Sequence, residues 1–597
     1  MEVISNIVAF ENVINKLKKE KRLSIDTETT GLDPYSGSRL FAIIIASDIE
    51  EYYLNYNNGG MQLLPTITPI ASLLNSMGYL YFLNASFDIL MMRASGIVIQ
   101  KPTIIDAAVL ARLEYNKHPD KNLSLDYLSK SYLKKAKNTE VENYIKAHSL
   151  YDENKNSKFY EVPLEIMSRY ACMDARLTYD LCTKIISCIN HKDREYRNPT
   201  PIMNVAKNES ALIKALYEMK HSGIKLDRSY VEKAYKYEKR IEKLHESRVK
   251  KVAPELNLRS PKQVASFIMD QGGFLPKNEN GNYITDVSTL EKLDLPVVQD
   301  IVKSKQAGKK ATTYYKNFLD RVDKNDILHC NINQSAACTG RTSSSHPNLQ
   351  NLHKEKWTGK EKYLVRHSFI PHENHTLFFF DYSQQEMIFM LDQSEEMSVI
   401  NKVKAGMDFY EAAAETIKDL TDVSLTRYEA KQISLALAYG MGIKALADKL
   451  HTSEKRAKLF RDMYFKGLPR LQKLQADLQR SVRTLGRIVN PFGRVFYLNR
   501  SEAYKALNWY VQGSSADISK IALVKVHELL KSYKSFMSLM VHDEIIVNLH
   551  NDEKALVPEI VKAMQSAYDG KHLRLNVGIE YSEESWSRKR EYEKNNM

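Results

Sequence analysis

The chain has 597 residues, of which 43% are hydrophobic, and a formal net charge of +13 with a pI near 9.0. That length exceeds one hydrophobic core, so three or four domains are expected, and the excess of cations favours a polyanionic partner, nucleic acid before a membrane surface. No run approaches the roughly 18 apolar residues of a membrane span, and the sparse cysteines form no CxxC pair, which argues against a disulfide scaffold or zinc site and for a reducing, cytoplasmic setting.

RLSIDTETTGLD (22–33) reads as a strand closing on a glycine turn. Asp26 and Glu28 lie two apart, so a strand presents both on one face. YLYFLN leads a second apolar strand into Asn84, Ala85, Ser86, Phe87 and Asp88. The YACMD segment puts Tyr170 and Asp174 on one face of a helix. Each fragment alone is more simply surface charge, but here three occur in order. HKDREYRNPTP (191–201) is charged and proline-bearing and reads as a linker. A helix then stops at Gly223, residues 229–250 form a Lys/Glu-rich helix, and Ser260 caps a helix opened by Pro261. Lys303, Lys305, Lys309 and Lys310 form a basic cluster suited to a duplex backbone.

CTGRTSSSHPNLQNL (338–352) is a polar loop bearing Arg341 and Gln350. LFFFDYSQQEM (377–387) is an apolar strand that ends on Asp381, a costly place for a carboxylate unless a cation meets it. In RYEAKQISLALAYGMG (427–442), Arg427, Lys431, Leu435 and Tyr439 are spaced by four and share a helix face. Two cations followed by an apolar and an aromatic residue fit the phosphates and base of a nucleotide. In LNWYVQGSSADISKIAL (507–523), Asn508 and Gln512 are one turn apart. SLMVHDEIIVNL (538–549) reads as strand, tight turn, strand, with His542, Asp543 and Glu544 at the turn. Carboxylates from two strand ends could hold two divalent ions about 3.5–4 Å apart, the geometry of in-line displacement at phosphorus.

DTETTGLD, NASFD and YACMD resemble the 3′–5′ exonuclease domain of the acidic, tyrosine-containing type over most of residues 20–185. The resemblance implies a ribonuclease-H-like α/β fold. Asp26, Glu28, Asp88 and Asp174 would ligate two metals, and Tyr170 would help orient the attacking water. Asp106 and Asp126 would be structural, within a helical middle spanning IIDAAVLARL (104–113) and NLSLDYLSKSYL (122–133).

The TGR-SS-PNLQN loop, VRHSF, DYSQQE, the Arg-Lys-Tyr-Gly helix, the N-QG-AD-K helix and VHDE resemble family A DNA polymerases. Together the two resemblances cover nearly the whole chain. They imply a mixed α/β and α+β multidomain protein with the exonuclease domain (1–190), a linker (191–204), and a right-hand polymerase. The polymerase would comprise a thumb region (205–330), the first part of the palm (331–394), fingers (395–489) and the rest of the palm (490–597). Asp381 and Asp543 would be the shared metal ligands, with the Tyr382 carbonyl completing one shell and Glu544 in support. Glu386 would exclude a ribose 2′-hydroxyl. Arg427 and Lys431 would hold the triphosphate, and Leu435 and Tyr439 would face the base pair. Tyr410 stands where a phosphate-facing His is common. Arg341, Gln350, Asn508, Gln512 and His542 would contact DNA, and Gly513 would permit close approach. Asp517 and the Trp586 tail are read as structural. Leu435 for an aromatic, Ser434 for Asn and Met387-Ile388 for Leu-Arg depart from the pattern, and Leu435 is expected to alter nucleotide selectivity or fidelity without abolishing activity.

The implied function is template-directed DNA synthesis by two-metal phosphoryl transfer with 3′–5′ proofreading, using Mg²⁺ or, in its place, Mn²⁺. The implied partners are primer–template DNA, deoxynucleoside triphosphates and replisome proteins, with no membrane; a monomer is expected. No 5′-nuclease domain fits before Leu23, and the leading setting is phage replication in a host cytoplasm, ahead of bacterial repair or an organelle. Two alternatives stay open: an exonuclease whose polymerase half only binds duplex, and a non-catalytic nucleic-acid-binding protein.

Overall fold

A computed structural model describes residues 1–593 apart from 57–62, 117–121, 154, 279, 353–361, 422–423 and 439. Among the described residues, the N-terminal sheet comprises β1 (Glu2–Ile4), β2 (Arg22–Thr29), β3 (Leu40–Ala46), β4 (Glu51–Asn55), β5 (Tyr79–Phe82) and β6 (Thr103–Asp106), in the order β1-β4-β3-β2-β5-β6. The pairing is antiparallel from β4 through β3 to β2 and parallel onward to β5 and β6. Strand alternation sends Leu23 and Ile25 into one core with Ile43, Ile45 and Leu80. Asp26 and Glu28 therefore share the opposite face with their cross-strand partners Ile44 and Ala42.

Two helices close over the acidic end of this sheet. α1 (Ala85–Ala94) follows Asn84, whose φ of +69° turns the chain out of β5. α2 (Leu164–Tyr196) packs Tyr170 and Ala171 against Ala42 and Ile44. IIDAAVLARL, expected to be helical, instead splits into β6 and a helix at Ala107–Glu114. Asp106 joins them by accepting the N–H groups of Ala85 and Ala108, each at 2.8 Å, and so has the structural role expected of it.

The expected linker over 191–204 is mostly helix. HKDREY contains no breaker, so α2 continues to Tyr196, and α3 (Ile202–Ser222) begins only six residues later. Asp193 accepts from Ile202 N–H at 2.7 Å and Met203 N–H at 3.1 Å, which caps the new helix. α3 is not part of a separate thumb either. Ile213 and Tyr217 belong to the N-terminal core, while Leu212, Leu216 and Met219 belong to the C-terminal one. Gly223 ends α3 at φ +60°, where a side chain would collide with Ile327 and the Leu328 carbonyl.

α4 (Arg228–Val252) and α5 (Pro296–Lys309) pack through Val249, Val298 and Ile301. Of the four clustered lysines, Lys303 and Lys309 are exposed, but Lys305 is half-buried and donates to the Thr285 carbonyl at 3.0 Å. The C-terminal sheet is antiparallel: β7 (His375–Tyr382) is central, flanked by β9 (Glu544–His550) and then β8 (Phe536–Val541) on one side, and by β10 (Val577–Ser582) and β11 (Arg590–Glu591) on the other. Both faces of β7 are buried: Phe378 and Phe380 pack into the helical core, and Leu377 and Phe379 lie with Trp586. The helices used below are α6 (Gln385–Ser394), α7 (Phe409–Thr421), α8 (Arg427–Ala438) and α9 (Ala506–Leu530).

A buried ionic cluster ties these parts together. Glu209 of α3 accepts from Arg494 and, at 2.6 Å, from Lys520 of α9. Arg494 also donates to Asp517 at 2.6 Å, confirming Asp517 as a structural residue. Gly513 proves to be a packing requirement inside the protein, since a side chain there would strike the Phe496 ring. Arg112 and Asn116 donate to the carbonyls of Ser335 and Cys338, at 3.0 and 2.6 Å, at the entry to the loop that carries Arg341. Among the described residues no helix is long and apolar enough to cross a membrane.

Candidate active sites

In the N-terminal unit, Asp26 and Glu28 come from β2, Asp88 from α1, and Tyr170 and Asp174 from successive turns of α2. They converge, as the resemblance to the exonuclease domain implies. Burial raises the Asp26 carboxyl to about 6 and that of Asp174 to about 7. Glu28 and Asp88 are raised too, by burial first and then by the Asp26 charge. Asp88 accepts the Thr27 hydroxyl at 2.6 Å.

Lys137, which no sequence motif pointed to, stands in this cluster. Its ammonium group donates to the Tyr170 hydroxyl at 2.6 Å and lies 3.0 Å from Asp174 and 3.5 Å from Glu142. Burial alone would lower its pKa, but Asp174 and Glu142 outweigh that and raise it. As the side chains stand, no three of the described His, Cys, Asp and Glu residues form a ready metal cage. The donor set is nevertheless all oxygen, as hard divalent cations require. Asp174 also keeps its second carboxylate oxygen buried without a hydrogen-bond partner, so a ligating atom is free.

In the C-terminal unit, Asp381 and Glu544 are direct cross-strand partners on β7 and β9. Asp543 precedes Glu544 in the turn, beside His542 at φ +60°. Burial, then the nearby Glu386 and Glu544, raise the Asp543 carboxyl to about 6. Glu544 is held by Lys589, a partner not visible in the sequence pattern, which fits it for a supporting role. The hydroxyl of Tyr382 donates to the Met564 carbonyl at 2.6 Å.

A cavity of about 410 Å³ opens beside this turn. Arg341, Gln350, Gln384, Glu386, Tyr410, Leu435, His542 and Asp543 line it, and α9 reaches it through Ser515, Ala516 and Ser519. Asp381, Lys431, Asn508 and Gln512 stand outside that wall. Arg341 is ion-paired with Glu386. Gln350 is buried and donates to the Thr342 hydroxyl at 3.1 Å and the Met540 carbonyl at 3.2 Å. Asn508 has a buried side-chain oxygen with no partner. Arg427 and Lys431 lie 5.6 and 5.9 Å from the Tyr410 ring, so the tyrosine gathers both cations. Ser434 donates to the Ala430 carbonyl at 2.7 Å and bonds the Tyr464 hydroxyl, so it is a packing residue. Tyr439 lies outside the described residues.

Residues 228–588 match the model of DNA polymerase family A, and residues 1–189 match that of a 3′-5′ exonuclease. The chain is 28% identical to the DNA polymerase I of Borreliella burgdorferi, over 98% of this chain and 64% of that protein. It is 34% identical to the DNA polymerase I of Caldicellulosiruptor bescii, over 59% of this chain and 44% of that one. The chain thus spans less than two thirds of the length of these relatives. Its fold matches the POL domain of Pol1 from M. smegmatis, solved in complex with DNA primer-template and dNTP, with a TM-score of 0.82 and 23% identity over 98% of this chain and 100% of that one. With a strand-end carboxylate pair beside an open cavity and a family match over more than half its length, this chain belongs to DNA polymerase family A.

Proposed function

We propose that the chain extends a DNA primer along a template with deoxynucleoside triphosphates and removes mispaired 3′-terminal nucleotides at its second, N-terminal site. The observation that carries this reading is the pairing of Asp381 with Glu544, one residue from Asp543, at the rim of a cavity that Arg341, Glu386 and Leu435 line. The solved structural neighbour holds the ligands this reading assigns.

Asp381, Asp543 and the Tyr382 carbonyl would hold divalent ions, Mg²⁺ first and Mn²⁺ in its place, as would Asp26, Glu28, Asp88 and Asp174. Bound there, such ions supply Lewis acidity toward phosphoryl oxygens. The primer 3′-hydroxyl attacks the α-phosphorus and pyrophosphate leaves. Arg427 and Lys431 bind the triphosphate and offset charge on the departing group. Glu386 fills the space of a ribose 2′-hydroxyl, and Leu435 closes the cavity wall against the incoming base. Arg341 and His542 hold the primer end. At the N-terminal site Tyr170 orients the water that attacks the terminal phosphodiester.

The test is an end-labelled primer on a longer template, with Mg²⁺ and four deoxynucleotides. Wild type should reach full length, and Asp543→Asn should slow extension on the order of 10³-fold, the loss of several kcal/mol of transition-state stabilisation. Without nucleotides the primer should shorten, and Asp174→Asn should stop that. Shortening in the presence of all four nucleotides would reduce the C-terminal half to a duplex-binding platform.

A further inference from the structure

Arg427 is already engaged. Its Nε and Nη2 donate to the two oxygens of Asp408, each at 3.1 Å. Glu411 stands 3.7 Å away. Asp408 sits just before α7, where its carboxylate accepts the N–H groups of Tyr410 and Glu411 at 3.0 and 3.3 Å. The same carboxylate accepts from the Gln384 side chain, which lies in the turn leaving β7, three residues past Asp381. One acid thus touches the strand-end turn, the start of α7 and the first turn of α8. Burial would raise its pKa, yet Arg427 and Gln384 hold it below the ordinary value.

A guanidinium fork receives a carboxylate and a phosphate in the same way, through two parallel N–H···O bonds. Asp408 therefore offers Arg427 the contact that a triphosphate would offer. We propose that Asp408 is an internal competitor for Arg427 that an incoming nucleoside triphosphate displaces, and that this residue sets nucleotide affinity. The proposal rests on the polymerase reading. Once displaced, Asp408 stays fixed by Gln384 and two backbone N–H groups, so its negative charge remains near the triphosphate. The competition takes no account of the base, so it weighs on all four nucleotides alike. Asp408 acts through Arg427 and is a positioning residue.

Asp408→Asn removes the charge but keeps the helix cap, since Asn serves that position as well as Asp. Single-nucleotide incorporation should then show KM about fivefold lower for each of the four deoxynucleotides, the scale of one half-exposed ion pair. Equilibrium binding of dATP on a dideoxy-terminated primer–template should tighten by the same factor. In an Arg427→Ala background, Asp408→Asn should leave KM where Arg427→Ala alone puts it, because the competition has lost its object. A wild type that incorporates dATP, with Asp408→Asn showing an unchanged or higher KM, would overturn the proposal alone. The same KM gain persisting without Arg427 would assign the effect to bulk charge and also overturn it. A wild type that incorporates no dATP would overturn the polymerase reading, and the proposal with it.

Discussion

Lys137 carries the charge balance of the N-terminal site: one ammonium group among four carboxylates, three of them buried, fixed to the tyrosine expected to orient water. Asp126 holds its backbone N–H at 3.3 Å, which gives that otherwise exposed acid a purpose. Lys137→Met should lower the rate of 3′-nucleotide release from a labelled single strand about tenfold, since a small misplacement of a positioned group is costly. Lys137→Arg should keep part of the rate, and extension with nucleotides present should be unaffected by either. Asp26 and Glu28, and Tyr170 and Asp174, were legible because strand and helix periods put each pair on a shared face, and Asp88 through the NASFD resemblance. Lys137 was not, because it reaches in from a loop, where no period constrains its neighbours. Asp408 was hidden for a related reason: it lies nineteen positions from the arginine it holds.

At the level of elements, β2, α1 and α2 bring carboxylates together in a buried space, and this has a pH signature. Below about pH 4, folded and unfolded chains both carry these groups protonated. As pH rises from there to about 7, the unfolded chain releases the protons while the folded chain retains them on Asp26 and Asp174, raised to about 6 and about 7. The folded state binds more protons over that window, so stability must fall as pH rises. In EDTA, thermal melts from pH 4 to pH 7.5 should show a progressive loss of a few kcal/mol, which Mg²⁺ should reverse at the upper end. A flat profile in EDTA would mean that the cluster is more hydrated than its burial implies. Strands β2, β5, β7, β8 and β9 were readable from apolar runs and their abrupt polar ends, whereas β6 was not, because its apolar run continues into the helix that follows. The end of α2 was not: charge and a nearby proline imitate a linker, but the helix continues to Tyr196 and ends where Arg197 turns left-handed, two residues short of Pro199.

Across the whole molecule, α3 belongs to two cores, and its Glu209 anchors Arg494 and Lys520 in a region with almost no solvent contact. Removing one member of a buried ionic cluster leaves the others uncompensated, at about 3–5 kcal/mol. Glu209→Ala should therefore lower the melting midpoint sharply, and primer extension and 3′-nucleotide release should be lost together on mild heating. Loss of one activity well before the other would show that the halves melt independently. The order of the two catalytic regions could be read from motif order alone. Their joint could not, because Glu209 and Lys520 are 311 positions apart and Glu209 lies in none of the motifs.

The grip of Arg112 and Asn116 on the loop leading to Arg341 bears on how such a chain can change over generations. On the proposed function, a single substitution at Asp174 would silence editing and leave this scaffold intact. Deleting the domain would remove the struts beneath the loop that carries Arg341 and strip the apolar face of α3. If the proposed function holds, loss of proofreading is open to such a chain by point mutation and closed to it by truncation. A descendant that no longer edits should still carry the whole N-terminal fold, kept for the support it gives after its chemistry has gone.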